Sequence, residues 1–76
     1  MTTASSQQRA GLRHDPGALR QARMDKGLRQ VQLAALARIS QPWLSQLECG
    51  TQNPSEVLLA TLERFLGVPA DSLRAR

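Results

Sequence analysis

Seventy-six residues, 41% of them hydrophobic, make one small domain with a modest core, since a chain this short buries only about 60% of its unfolded surface. A single cysteine, Cys49, excludes an internal disulfide framework, and no apolar run approaches the roughly 18 residues of a membrane span. Net charge is +4 with a pI near 11.1, and it is uneven: residues 1–38 hold seven Lys/Arg against two acids, residues 39–76 three against four. That asymmetry points to a polyanion met largely by the N-terminal half, the ordinary alternative being a solvated basic surface. The lone thiol and the absence of a hydrophobic N-terminal segment lead to the expectation of a cytoplasmic protein.

Residues 1–14 are polar, rich in Ser, Thr and Gln, and without hydrophobic periodicity, so a disordered arm is expected. An alternative is an arm whose Arg9 and Arg13 reach phosphates or the minor groove. His14 has no acid, Cys or second His at ligand or catalytic spacing and is expected in solvent. The ordered domain is expected over 15–76.

Asp15-Pro16 opens the first helix, with Asp as N-cap and Pro in the first turn. Leu19, Ala22 and Arg23 share one face, and Gly27 closes the helix as a left-handed cap. Gln30 to Ala37 then reads as a second helix, with Leu33, Ala34 and Ala37 inward. Val31 and Leu36 lie off that face. Arg38-Ile39-Ser40 is a tight turn. Gln41 to Cys49 forms a third helix, capped by Ser40, with Pro42 in its first turn and Gly50 at its end. Leu44, Leu47 and Glu48 face inward; Pro42, Ser45, Gln46 and Cys49 face outward, with Trp43 at the margin. Two short helices joined this tightly are typical of a DNA-reading helix-turn-helix, and equally of an ordinary helical hairpin.

The outward face of the third helix is polar and uncharged. It suits base-edge reading, since a glutamine can pair bidentately with adenine N6 and N7, each good pair contributing about 1–3 kcal/mol of discrimination. Ser55 caps a fourth helix to about Leu66, whose stripe of Leu58, Leu59, Leu62, Phe65 and Leu66 belongs to the core. Residues 69–73 read as a short last helix or turn.

Taken in register, these pieces resemble the lambda-repressor-like, or XRE-type, helix-turn-helix family. The matching residues are Leu19, Arg23, Gly27-Leu28-x-Gln30-x-x-Leu33-Ala34, Ile39-Ser40-Gln41-x-x-Leu44-Ser45-x-Leu47-Glu48-x-Gly50, Asn53-Pro54-Ser55, and Leu66-Gly67-Val68 through Leu73. The resemblance implies an all-α, compact five-helix domain with its helix-turn-helix at helices 2–3. It also implies an Arg23–Glu48 ion pair, agreeing with their inward faces, because a buried charge needs a partner. Gln30 matches a phosphate-contact position. Gln41, Pro42, Trp43, Ser45 and Gln46 match positions facing the major groove, with Gln41 and Gln46 expected to read bases. For Trp43, packing against the second helix or the following loop stands beside contact with a sugar, a thymine methyl or a partner protein.

The chain departs from the family pattern at several points. Arg38 stands at the turn position usually held by Gly, at roughly 1 kcal/mol. Arg29 replaces a Ser/Thr/Asn N-cap, losing about 1 kcal/mol while adding a cation beside the expected DNA backbone. The loop Thr51-Gln52-Asn53 lacks the usual Lys/Arg. Glu63 replaces a small residue and is expected to escape to solvent from the edge of the apolar stripe.

The function expected is a sequence-specific regulator binding double-stranded DNA, most simply a repressor acting as a homodimer on a near-palindromic operator, with the last helix and Leu73 as the dimer surface. The alternative is a protein-interaction module such as an antitoxin, which exposed Val31, Leu36 and Trp43 would favour if contiguous. No nucleophile–base pair, metal cluster or phosphate loop points to an enzyme or a cofactor, and no membrane contact is expected.

Overall fold

The computed structural model describes residues 13–75. Within them lie four helices: α1 (Pro16–Asp25), α2 (Gln30–Ala37), α3 (Gln41–Cys49) and α4 (Glu56–Leu66). Each start is written locally. The carboxylate of Asp15 accepts from the Ala18 amide at 3.0 Å, the Ser40 hydroxyl from Trp43 at 3.1 Å, and the Ser55 hydroxyl from Leu58 at 3.1 Å. Each bond satisfies one of the first-turn donors that a helix leaves unpaired, an effect of about 1 kcal/mol. Arg29 has no acceptor to offer α2. Instead the Gln32 side chain reaches back and accepts from the Arg29 amide at 2.8 Å, which recovers half of a capping box.

The helices pack α1 on α3, α2 on α3 and α2 on α4. Leu19, Leu33, Leu44, Leu47, Leu59 and Leu62 meet at the centre with Ala34, Ala37 and Leu66, and Leu73 of the tail closes the cluster. Six fully buried leucines are worth about 1.5–3 kcal/mol each by transfer, so this one cluster dominates the stability of the fold. Small Ala34 and Ala37 let α2 lie close to its neighbours. At the C-terminal end of α3, Gly50 takes φ 83°, and a Cβ there would stand 3.1 Å from Pro16 Cγ. Backbone conformation and the approach of α1 thus both require glycine.

Three expectations are corrected here. The fifth helix is absent among the described residues: residues 70–73 form a turn. Ser72 N–H bonds the Pro69 carbonyl at 3.1 Å and Arg74 N–H bonds that of Asp71 at 3.2 Å, while Asp71 sits at φ 66° and so breaks any helical run. Leu73 is buried in the chain's own core at 2% exposure and is not a free dimer surface. Glu63, expected in solvent, is buried, and its Oε2 accepts the Leu73 amide at 3.1 Å. An inward carboxylate is tolerated because the returning tail brings it a donor.

The tail also meets the segment before α1. Asp15 N–H bonds the Leu73 carbonyl at 2.8 Å and Ala75 N–H that of Arg13 at 3.2 Å, pairing His14 with Arg74 in an antiparallel bridge. His14 is therefore not in solvent; it is 5% exposed. Arg74 ion-pairs with Asp71 and Glu56 at the surface, and the Asp71 hydrogen bond is the first reason its guanidinium is held above the ordinary arginine value. Both pairs are exposed and add little stability. The expected arm, apart from Arg13 and His14, lies outside the described residues, and Arg9 with it. No helix among the described residues is long and apolar enough to cross a membrane.

Candidate nucleic-acid interface

The turn between α2 and α3 is set by one residue. Arg38 adopts φ 60°, ψ 42°, and amides from the turn close on the last carbonyls of α2: Arg38 N–H on Ala35 at 3.2 Å and Ile39 N–H on Ala34 at 2.9 Å. The left-handed turn persists although its residue is not glycine, at a cost of about 1 kcal/mol. Arg38→Gly should therefore stabilise the domain by roughly that amount. Urea unfolding would show the gain, and a loss of stability would mean the Arg38 side chain does more than occupy the turn.

Glu48 joins α1 to this unit. Arg23 Nε donates to Glu48 Oε2 at 2.6 Å and Nη2 to Oε1 at 3.1 Å, a two-pronged pair with side chains only 11% and 3% exposed. Arg23 Nη1 also donates to the Leu28 carbonyl at 2.8 Å, bracing the link between α1 and α2. Glu48 Oε1 accepts once more, from Gln30 Nε2 at 3.0 Å. With its nitrogen committed to the carboxylate, Gln30 turns its oxygen outward, and that oxygen accepts from Gln41 Nε2 at 2.6 Å. A buried charge thus orients two amides in succession. Gln41, exposed at the first position of α3, bonds no other side chain among the described residues, which leaves its Oε1 and second N–H available. One acceptor beside one donor is the pattern an adenine N6/N7 edge demands.

The family resemblance implies the Arg23–Glu48 pair, and the inward faces of both residues agree with it; neither implies the amide run from Glu48 through Gln30 to Gln41. Gln30 was expected only as a phosphate contact. Gln30 and Gln41 meet because α3 folds back across α2 after the turn, a crossing that local sequence does not specify.

The remaining site residues fall as follows. Gln46 and Pro42 are exposed on α3, Ser45 is half-buried between them, and Cys49 lies exposed one turn on from Gln46. Trp43 is half-buried, packing against the core on one side and leaving the rest of its ring accessible. Arg29 and Arg38 are exposed at opposite ends of α2, about 13 Å apart at 1.5 Å per residue. Arg13 is exposed beside the tail. His14 was missed as a contributor, because both its partners lie more than 30 residues away.

A short helix presenting an uncharged amide-rich face, crossed through a tight turn by a second helix with an arginine at each end, defines a helix-turn-helix DNA-binding domain. The chain belongs to the helix-turn-helix domain family, whose sequence profile matches residues 17–76. It is similar to the HTH-type transcriptional regulator DdrOP3 of Deinococcus deserti, 42% identical over 55 residues, covering 72% of this chain and 43% of that protein. It is also similar to the uncharacterized HTH-type transcriptional regulator y4dJ of Sinorhizobium fredii, 44% identical over 46 residues, covering 60% of each. The chain thus spans less than two thirds of either relative.

Among solved structures, the clp gene regulator ClgR of Corynebacterium glutamicum superposes with a TM-score of 0.68 at 42% identity, over 70% of this chain and 56% of that one. The biofilm master regulator SinR, solved in complex with DNA, superposes with a TM-score of 0.70 at 29% identity, over 75% of this chain and 92% of that one.

Proposed function

We propose that this domain binds a specific sequence of double-stranded DNA by laying α3 in the major groove, and regulates transcription as a repressor, acting as a dimer on a near-palindromic site. One observation carries the reading: the Glu48–Gln30–Gln41 run ends in an exposed amide whose acceptor and spare donor are already oriented. An amide fixed before binding loses less freedom on pairing with a base than a mobile one. Gln46 is the second reader, with Pro42, Ser45 and Trp43 shaping the face. Arg29, Gln30 and Arg38 serve the backbone on either side of the groove, joined by Arg13 and, from outside the described residues, Arg9. Gln30 in this reading both meets a phosphate and aims Gln41. DNA bound by SinR supports the assignment by likeness of fold.

Selection of bound duplexes from a random pool tests the proposal. Gln46→Ala should relax preference at one position of the selected site, by about 1–3 kcal/mol between the preferred and the other bases. An unchanged selected sequence would remove Gln46 from the reading set. Indifference to duplex sequence at moderate salt would replace the regulator by the alternative, an antitoxin-like protein-interaction module in which exposed Val31 and Leu36 contribute. A fall of affinity with salt would report phosphate contact alone.

A further inference from the structure

The Arg23–Glu48–Gln30–Gln41 run holds α3 by the Gln41 side chain at its first turn and the Glu48 side chain at its last; the backbone carbonyls that end the helix have partners outside that run. A helix leaves its final carbonyls without intrahelical partners. At the end of α3 the Gln46 carbonyl receives the Thr51 amide at 3.1 Å and the Thr51 hydroxyl at 3.3 Å. The Leu47 carbonyl receives only a long bond of 3.4 Å from Gly50 within its own turn. His14 completes it: Nε2 lies 2.7 Å from the Leu47 oxygen, in buried surroundings. Because a carbonyl can only accept, Nε2 carries a proton. Nδ1 lies 3.1 Å from Asn53 Oδ1.

We propose that His14 is a positioning residue of the DNA-reading surface, a C-cap from 33 residues upstream that fixes where α3 ends and how the 51–53 loop leaves it. The proposal rests on α3 being the reading helix. The cap is itself anchored. Buried Glu63 holds the Leu73 amide, the Leu73 carbonyl holds the Asp15 amide, and His14 next to Asp15 holds Leu47 and Asn53. Closure of the two ends of the domain and placement of the reading helix therefore form one cooperative unit.

Glutamine and asparagine separate the two bonds. The amide nitrogen of Gln reaches about as far as Nε2, and that of Asn about as far as Nδ1. In the full chain, H14Q keeps the donor to Leu47 and should discriminate the selected duplex from random duplex within about twofold of the parent. H14N loses that donor, leaving a buried carbonyl short of a partner, and should lose about tenfold in the same ratio. Amide exchange of Gly50 and Thr51 should quicken about tenfold in H14N while that of Leu33 and Leu62 follows only the global stability read from urea unfolding. Equal behaviour of H14N and H14Q, or exchange of Gly50 and Thr51 in step with Leu62, would overturn the assignment. A parent chain indifferent to duplex sequence would overturn the DNA reading and with it this role of His14, whereas exchange decides the cap without any DNA present.

Discussion

Glu48→Ala should cost about 3–5 kcal/mol of folding stability, because it leaves the Arg23 guanidinium buried with its principal partner gone. The loss comes from the stranded charge more than from the bond itself. Replacing both partners by apolar residues, Arg23→Met with Glu48→Leu, should return stability to near the parent or above it. It should not return discrimination among DNA sequences. Gln30 would have no carboxylate to hold its nitrogen, so Gln41 would lose its fixed orientation. Urea unfolding measures the first effect and selection from random duplexes the second. A single substitution costing less than about 1 kcal/mol, or a double variant as selective as the parent, would remove Glu48 from its role as organiser of the reading face.

Leu44→Ala should cost about 2–5 kcal/mol, the range for a buried leucine truncated in a close-packed core. A domain this size is stable by only about 5 kcal/mol or a little more, so a loss at the upper end of that range should unfold a large part of the population at 25 °C. Leu44 follows Gln41 by three residues and precedes Gln46 by two, so it is the buried root of the helix that carries both readers. Leu44→Met, which nearly conserves volume, should cost less than about 1.5 kcal/mol and leave DNA discrimination in place. Thermal unfolding followed through Trp43 fluorescence reports both variants, since Trp43 is the chain's sole tryptophan and packs beside the cluster. An alanine variant as stable as the methionine one would mean that α3 is held by its hydrogen bonds and not by its core side.

The local parts of this architecture were legible along the chain because they are coded within a turn or two. Asp15, Ser40 and Ser55 each cap an amide three residues ahead, and Gly50 closes the helix it follows. The inward stripes of α1, α3 and α4 follow from the 3.6-residue period. What escaped was everything made by the chain's two ends. His14 has partners 33 and 39 residues on, and alone in a polar stretch it reads as solvated. Glu63 reads as a misfit in an apolar stripe until Leu73 returns to meet it. The expected fifth helix failed at Asp71, whose left-handed backbone bends the tail back toward residues 13–15. At the reading face, outward positions of α3 followed from the helical wheel. The orientation of Gln41 did not, because it is relayed through two other helices.

The bridge between His14 and Arg74 gives the domain a mechanical character. Residues 13–15 and 73–75 run side by side at a single antiparallel bridge, so tension between these two segments peels their two backbone bonds in turn instead of shearing them together. Parting begins at the outer bond, between Ala75 and Arg13, before it reaches the one between Asp15 and Leu73 at the edge of the leucine cluster. Each step of that parting draws His14 away from Leu47, so a modest pull on the flanking chain slackens the far end of α3 while the rest of the fold stays closed.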